Sequence, residues 1–141
     1  MIFLAAGCAK EGPKRPPKEI SIPTRPPPPP ASEALSPKRE ASQRIVQAGK
    51  EYLEAGDADR AVQTFQEAIN IDPENGVAFF FMSLGLYQIK LFEDALGLLE
   101  RADALLAPYP DWHDEVVRLR YLIEDAKGEE QEKGPDTEGY Y

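Results

Sequence analysis

The sequence has very few of the residues that build catalytic or metal sites. Its 141 residues include one cysteine, Cys8, and one histidine, His113. A disulfide needs a second cysteine, and a zinc site needs a cluster of ligands, so we predict neither. No Gly-x-Ser-x-Gly motif accompanies His113, and the chain has no glycine-rich phosphate loop. We therefore expect a protein that is not an enzyme and that holds no cofactor and no metal, with His113 as a solvated surface residue.

Basic residues are outnumbered, and they are unevenly placed. The chain has 16 Lys and Arg against 25 Asp and Glu, a net charge of −9. Residues 9–40 have seven basic and four acidic side chains (+3), whereas residues 41–141 have nine and 21 (−12). Because phosphate binding requires a basic surface, the acidic balance of the chain predicts that nucleic acid is not a partner.

Large apolar residues are scarce between residues 9 and 38, where prolines are concentrated. Ten of the 14 prolines lie from Pro13 to Pro37. Such a segment cannot bury enough surface to offset its ordering entropy, so we predict a disordered linker over 9–38. In a polyproline II conformation, about 30 residues extend roughly 90 Å. We favour a spacer over a proline-motif ligand or a lipid-binding strip, because acidic residues interrupt the basic ones.

The apolar run at the start is too short to cross a bilayer. It ends in Ala5-Ala6-Gly7-Cys8, which resembles the lipobox of bacterial lipoproteins. The resemblance implies that residues 1–8 are the remnant of a signal peptide with an upstream start, and that Cys8 is lipidated. It also implies a cell-envelope location, with Ala9 favouring the outer membrane and a periplasmic domain. The alternative is an unmodified cysteine in a cytoplasmic protein.

A helical period begins after residue 38, and residues 42–75 and 76–109 align without a gap at a spacing of 34. Small and large residues alternate at matching positions of the two segments, and a proline follows the first. These positions are Gly49, Tyr52, Ala61, Phe65, Ala68 and Pro73, then Ser83, Leu86, Ala95, Leu99 and Ala102. The pattern resembles the tetratricopeptide repeat, in which small residues let paired helices approach closely and large residues pack around them.

A further helix is predicted over 111–127, capped by Asp111. Its apolar stripe is Trp112, Val116, Leu119 and Ile123. This helix resembles the solvating cap that ends a repeat array. We therefore predict an all-α solenoid of two repeats and a cap helix over 39–127, followed by an acidic disordered tail over 128–141.

The resemblance implies that one stripe of each repeat's first helix lines a groove that binds a protein or peptide. The predicted groove residues are Val46, Lys50, Leu53, Val77, Phe80, Leu84 and Tyr87. Two interpretations stay open: the cap helix fills this groove, or an amphipathic partner helix binds there. The chaperone-binding subclass of the family has Lys and Asn at these positions to bind a C-terminal carboxylate. Only Lys50 could do so here, so we do not expect carboxylate clamping.

Together these features predict a membrane-anchored interaction module. The alternatives are a homo-oligomeric structural component of an envelope assembly and a cytoplasmic adaptor with a fortuitous N-terminus. A pair of repeats is small for an array, which also favours self-association.

Overall fold

A computed structural model describes residues 36–134 of the chain. The predicted lipobox, Cys8 and nearly all of the predicted linker lie outside these residues, as do residues 135–141. The described part forms five α-helices and no strand, which confirms the all-α prediction. They are α1 (Pro37–Glu54), α2 (Ala58–Ile71), α3 (Gly76–Gln88), α4 (Phe92–Leu106) and α5 (Pro110–Glu132).

Local sequence chemistry explains where the first three helices begin and end. Ser36, Asp57 and Asn75 are the N-caps of α1, α2 and α3, and each side chain accepts a hydrogen bond from the backbone N–H three residues on. Gly56 joins α1 to α2 with a φ of 80°, which glycine adopts without steric cost. Asp72 leaves the helix in an extended conformation, because the following Pro73 disfavours helical geometry there.

The last helix differs from the prediction at both ends. It begins at Pro110 with Tyr109 as its N-cap, so Asp111 lies in its first turn and is not the cap residue. It also continues through Gly128 to Glu132, where the tail was predicted to start. An exposed glycine costs a helix only about 1 kcal/mol, and the Glu-Glu-Gln-Glu sequence that follows favours helix. Glu130 also forms an ion pair with Lys90 at 3.4 Å, which ties the extension to the end of α3.

Consecutive helices pack side by side in the order of the chain. The first helices of the repeats, α1 and α3, also contact each other, and α3 contacts α5. Within the described residues the second helices, α2 and α4, do not contact each other. The first helices α1, α3 and α5 therefore form one side of the stack, called the inner side below, and α2 and α4 form the other side. The spacing of 34 extends into α5, which begins 34 residues after α3.

The helices of each pair approach closely at small residues. A Cβ atom on Gly49 would lie 2.4 Å from Cε1 of Phe65 on α2. In the second repeat Ser83 takes this position, and its hydroxyl donates a hydrogen bond to the Ala95 carbonyl at 2.7 Å. Six further residues of the predicted packing set have no exposed area: Ala61, Phe65, Ala68, Ala95, Leu99 and Ala102.

Two residues of the predicted packing set lie at the surface. Pro73 is exposed, and its part is to end α2. Tyr52 is 36% exposed, with the Arg60 guanidinium 5.9 Å from its ring centroid. The corresponding residue of the second repeat, Leu86, is buried. The difference arises because α3 has helices on both sides, whereas α1 lies at the edge of the stack.

Candidate interaction surfaces

The predicted groove residues lie mainly inside the domain. Five of the seven are nearly or completely buried, and two are partly buried. The buried ones are Val46, Lys50, Leu53, Phe80 and Leu84; the partly buried ones are Val77 and Tyr87.

Among the described first helices, α1 contacts α3 and α3 contacts α5. Leu53 on α1 reaches to within 3.7 Å of the Cβ position of Gly85 on α3. Phe80 on α3 packs against Trp112 on α5, with ring centroids 5.2 Å apart at 67°. The stripe predicted to line an open groove therefore forms the contact between successive repeats. For Phe80 this agrees with the interpretation in which the cap helix fills the groove.

Lys50 is the one basic residue of that stripe, and it is 7% exposed. Its Nζ lies 5.2 Å from the centroid of the Phe81 ring, a cation–π contact worth about 0.5–2 kcal/mol. No carboxylate within residues 36–134 pairs with it. Among residues 36–134, only Nε1 of Trp112 is a polar side-chain atom that is both fully buried and without a hydrogen-bond partner. The Lys50 ammonium is not such an atom, so it keeps a small exposed area. Lys50 therefore presents one positive charge at the edge of a largely apolar stripe.

An aromatic cluster joins the repeats to α5. The Phe65 and Phe81 rings stack with centroids 5.9 Å apart, and Trp112 meets Phe81 edge-on at 6.3 Å. Trp112 and the three other residues of its predicted stripe are at most 2% exposed. Three ion pairs add to this packing: Arg120–Asp103, Lys90–Glu130 and Lys127–Glu93. The cap helix is thus held by both apolar and polar contacts.

The outer side of α5 is open and was not predicted as a candidate site. Adding 34 to the groove residues Phe80, Leu84 and Tyr87 leads to the α5 residues Asp114, Arg118 and Tyr121. All three are exposed, and they are called the end face below. Tyr121, at 65%, is the most exposed large apolar residue among those described. The spacing of 34 is the signal in the sequence that identifies this face, whereas the resemblance to a solvating cap predicts only a polar outer side.

The described residues show no arrangement typical of a metal or membrane-spanning site. His113 is exposed in the first turn of α5. No three His, Cys, Asp or Glu residues within 36–134 are grouped so that they could hold a metal ion. None of the five helices is both long and apolar enough to span a bilayer.

Antiparallel helix pairs that repeat every 34 residues and stack through their first helices define a helical-repeat solenoid. The tetratricopeptide repeat family model matches residues 52–118, from the last turn of α1 into α5. This match and the all-helical architecture support a tetratricopeptide repeat fold for the described helices. Such repeats generally serve as non-enzymatic scaffolds for protein interactions. No curated protein and no solved structure matches the chain.

Proposed function

We propose that this chain is a lipid-anchored interaction protein of the bacterial cell envelope. In this proposal Cys8 is the anchor, residues 9–38 are the spacer, and the repeat domain binds a protein or peptide partner. The observation that carries the proposal is the repeat domain itself, whose inner helices and end face present accessible side chains of mixed character.

The accessible part of the inner side supports peptide or helix binding. Val77 and Tyr87 are partly exposed, and the Lys50 ammonium lies beside the aromatic cluster. Apolar side chains next to one charge suit an amphipathic segment, because the apolar contacts supply affinity and the charge orients the partner. A partner with apolar residues and an acidic group fits this surface best.

Site-specific photo-crosslinking tests the binding function. A photoreactive residue in place of Tyr87 should yield a defined adduct in cells. The same residue in place of Gln63, which is exposed on α2, should yield none. Adducts at neither position would contradict partner binding on the inner side. An adduct of twice the chain mass would favour the alternative, a homo-oligomeric structural component.

Membrane anchoring is tested separately with Cys8→Ser. Each buried methylene of a lipid contributes about 0.8 kcal/mol, and stable anchoring takes more than one chain, which a diacylglycerol supplies. Wild type should therefore sediment with membranes and Cys8→Ser should be soluble. Wild type in the soluble fraction would favour the cytoplasmic adaptor and end the envelope proposal.

A further inference from the structure

We propose that the end face of α5 binds the opposite end of the stack in a second copy of this chain. In this arrangement α1 of one copy occupies the place beside α5 that a following first helix would occupy. The inference goes beyond the proposed function, because it concerns the end face and not the inner side on which the proposed partner binds. It follows from the way that consecutive first helices already pack within the domain.

The end face is a stacking surface without a partner among residues 36–134. Asp114 is equivalent to Val46 of α1 and Phe80 of α3. Val46 and Phe80 are buried, whereas Asp114 is exposed. At the last position Leu53 is buried, Tyr87 is partly buried, and Tyr121 is 65% exposed. Burial therefore decreases toward α5, where no first helix follows.

The neighbouring residue Val117 indicates which kind of helix can bind here. The spacing of 34 places Val117 at the position of Gly49 and Ser83, where each first helix closely approaches the second helix of its own repeat. Even a Cβ on Gly49 would overlap Phe65. A valine at this position prevents that approach, so α5 does not accept a second helix of the same kind. The end face is left to contacts between first helices.

The start of the stack offers a matching surface on α1. Two repeat lengths, or 68 residues, before the buried stripe of α5 lie four exposed residues of α1 and its C-cap. They are called the start face: Arg44, Ala48, Glu51 and Ala55. In α5 this stripe packs against the preceding repeat through Trp112. The small residues Ala48 and Ala55 allow a neighbouring helix to approach closely.

Charge complementarity selects a second copy as the partner. Trp112 packs on Phe80 between α3 and α5. In the contact between copies, Arg44 of one copy takes the position of Trp112, and Asp114 of the other copy takes the position of Phe80. Arg44 has an 80% exposed side chain, and its ion pair with Glu40 is 3.8 Å long, so it is free to change partner. Opposite charges at this position favour the register found inside the domain.

The contact is heterologous and involves little more than one helix on each side. Because the two faces differ, binding leaves one free face at each end, and longer stacks form as the concentration rises. We expect weak association in solution, since interfaces of this size are small. Anchoring copies on one membrane raises their effective concentration and favours the same contact.

Charge reversal in the full chain with Cys8→Ser tests the proposal by sedimentation velocity. The parent protein should show association that grows with concentration. Arg44→Asp and Asp114→Arg should each weaken it about tenfold or more, because like charges meet. Mixing the two variants should restore association, because every contact between the two variants joins opposite charges, both at the unchanged faces and at the two reversed faces.

The control is Arg101→Asp, a charge reversal at an exposed residue of α4, which should leave association unchanged. Circular dichroism should show equal helix content in all variants, since every changed residue is exposed. A parent protein that stays monomeric, or an Arg44→Asp variant that associates normally, would overturn the proposal. So would a mixture that fails to recover. A photo-adduct at Tyr87 with another protein would then leave the proposed function standing without this contact.

Discussion

Replacing Gly49 with alanine adds one methyl group at the closest approach of α1 and α2. That Cβ would lie 2.4 Å from Cε1 and 2.8 Å from Cδ1 and Cζ of Phe65, well inside normal van der Waals contact. The Phe65 ring has no exposed area, and it stacks on Phe81 at 5.9 Å. Because the ring has no open space on that side, Gly49→Ala forces the two helices apart or distorts the stacked rings.

The size of the effect follows from two opposing terms. In a helix interior, alanine is favoured over glycine by about 1 kcal/mol. Overpacking a filled core costs about 1–3 kcal/mol and sometimes more. We therefore expect Gly49→Ala to lower the free energy of unfolding by up to about 2 kcal/mol. For a domain of this size that lowers Tm by about 4–8 °C for each kcal/mol.

Gly97 provides a matched control within the same domain. It lies exposed in α4, and a Cβ there would meet nothing within 4 Å. Gly97→Ala should therefore raise the free energy of unfolding by about 0.5–1 kcal/mol through helix propensity alone. The same chemical change should thus shift stability in opposite directions at the two positions.

Thermal and urea unfolding of the full chain, followed by far-ultraviolet circular dichroism, measures both variants. In a Phe65→Leu background, Gly49→Ala should cost less, because the smaller side chain leaves room for the methyl group. A Gly49→Ala variant that gains as much stability as Gly97→Ala would show that α1 and α2 do not approach at this point. That result would refute the close packing of the first repeat.

Three further substitutions test the interior. Leu84 has no exposed area, so Leu84→Lys buries an unpaired charge and should cost about 3 kcal/mol or more; normal helix content and melting would contradict that burial. Ser42→Ala removes the hydroxyl that accepts a 2.8 Å hydrogen bond from Asn75, both residues being buried. It should cost about 1–3 kcal/mol in urea unfolding, and a change below about 0.5 kcal/mol would argue against this bond. Trp112→Phe removes a buried N–H that has no acceptor and keeps an aromatic ring. It should therefore lower the free energy of unfolding clearly less than Trp112→Ala, which should cost roughly 3–5 kcal/mol. Equal losses in the two variants would show that the aromatic contacts contribute little.

The fold was predictable because its signals are local and recur at a fixed spacing. Gly49 and Ser83 are small residues 34 positions apart, and each lies where the two helices of its repeat approach closely. This recurrence can be read from the sequence without knowing what else packs nearby. The glycine at Gly56 and the proline at Pro73 end helices through the geometry of their own backbones. The end of α5 was missed because one exposed glycine weakens a helix only slightly, and Glu130 has a distant partner in Lys90.

The candidate site was harder to predict because burial depends on what packs against a residue. Phe80 and Leu84 are apolar in either role, as the lining of a groove or as a contact between repeats. Their sequence positions cannot distinguish these roles, since the answer depends on where α5 lies. For Phe80 the contact with Trp112, a residue 32 positions away in the sequence, favours the second role.

At the positions through which the first helices contact each other, the residue type changes along the chain. This change makes the last helix polar enough to face solvent and also restricts which partner can bind there. One position changes from Val46 to Phe80 to Asp114, and the last changes from Leu53 to Tyr87 to Tyr121. A terminal repeat must present polar groups to remain soluble, and Asp114 supplies one. An aromatic residue kept beside that charge is typical of weak protein interfaces, where charges restrict which partner fits and the aromatic supplies contact area. The end of this short array therefore combines a solvated cap with the features of a docking surface.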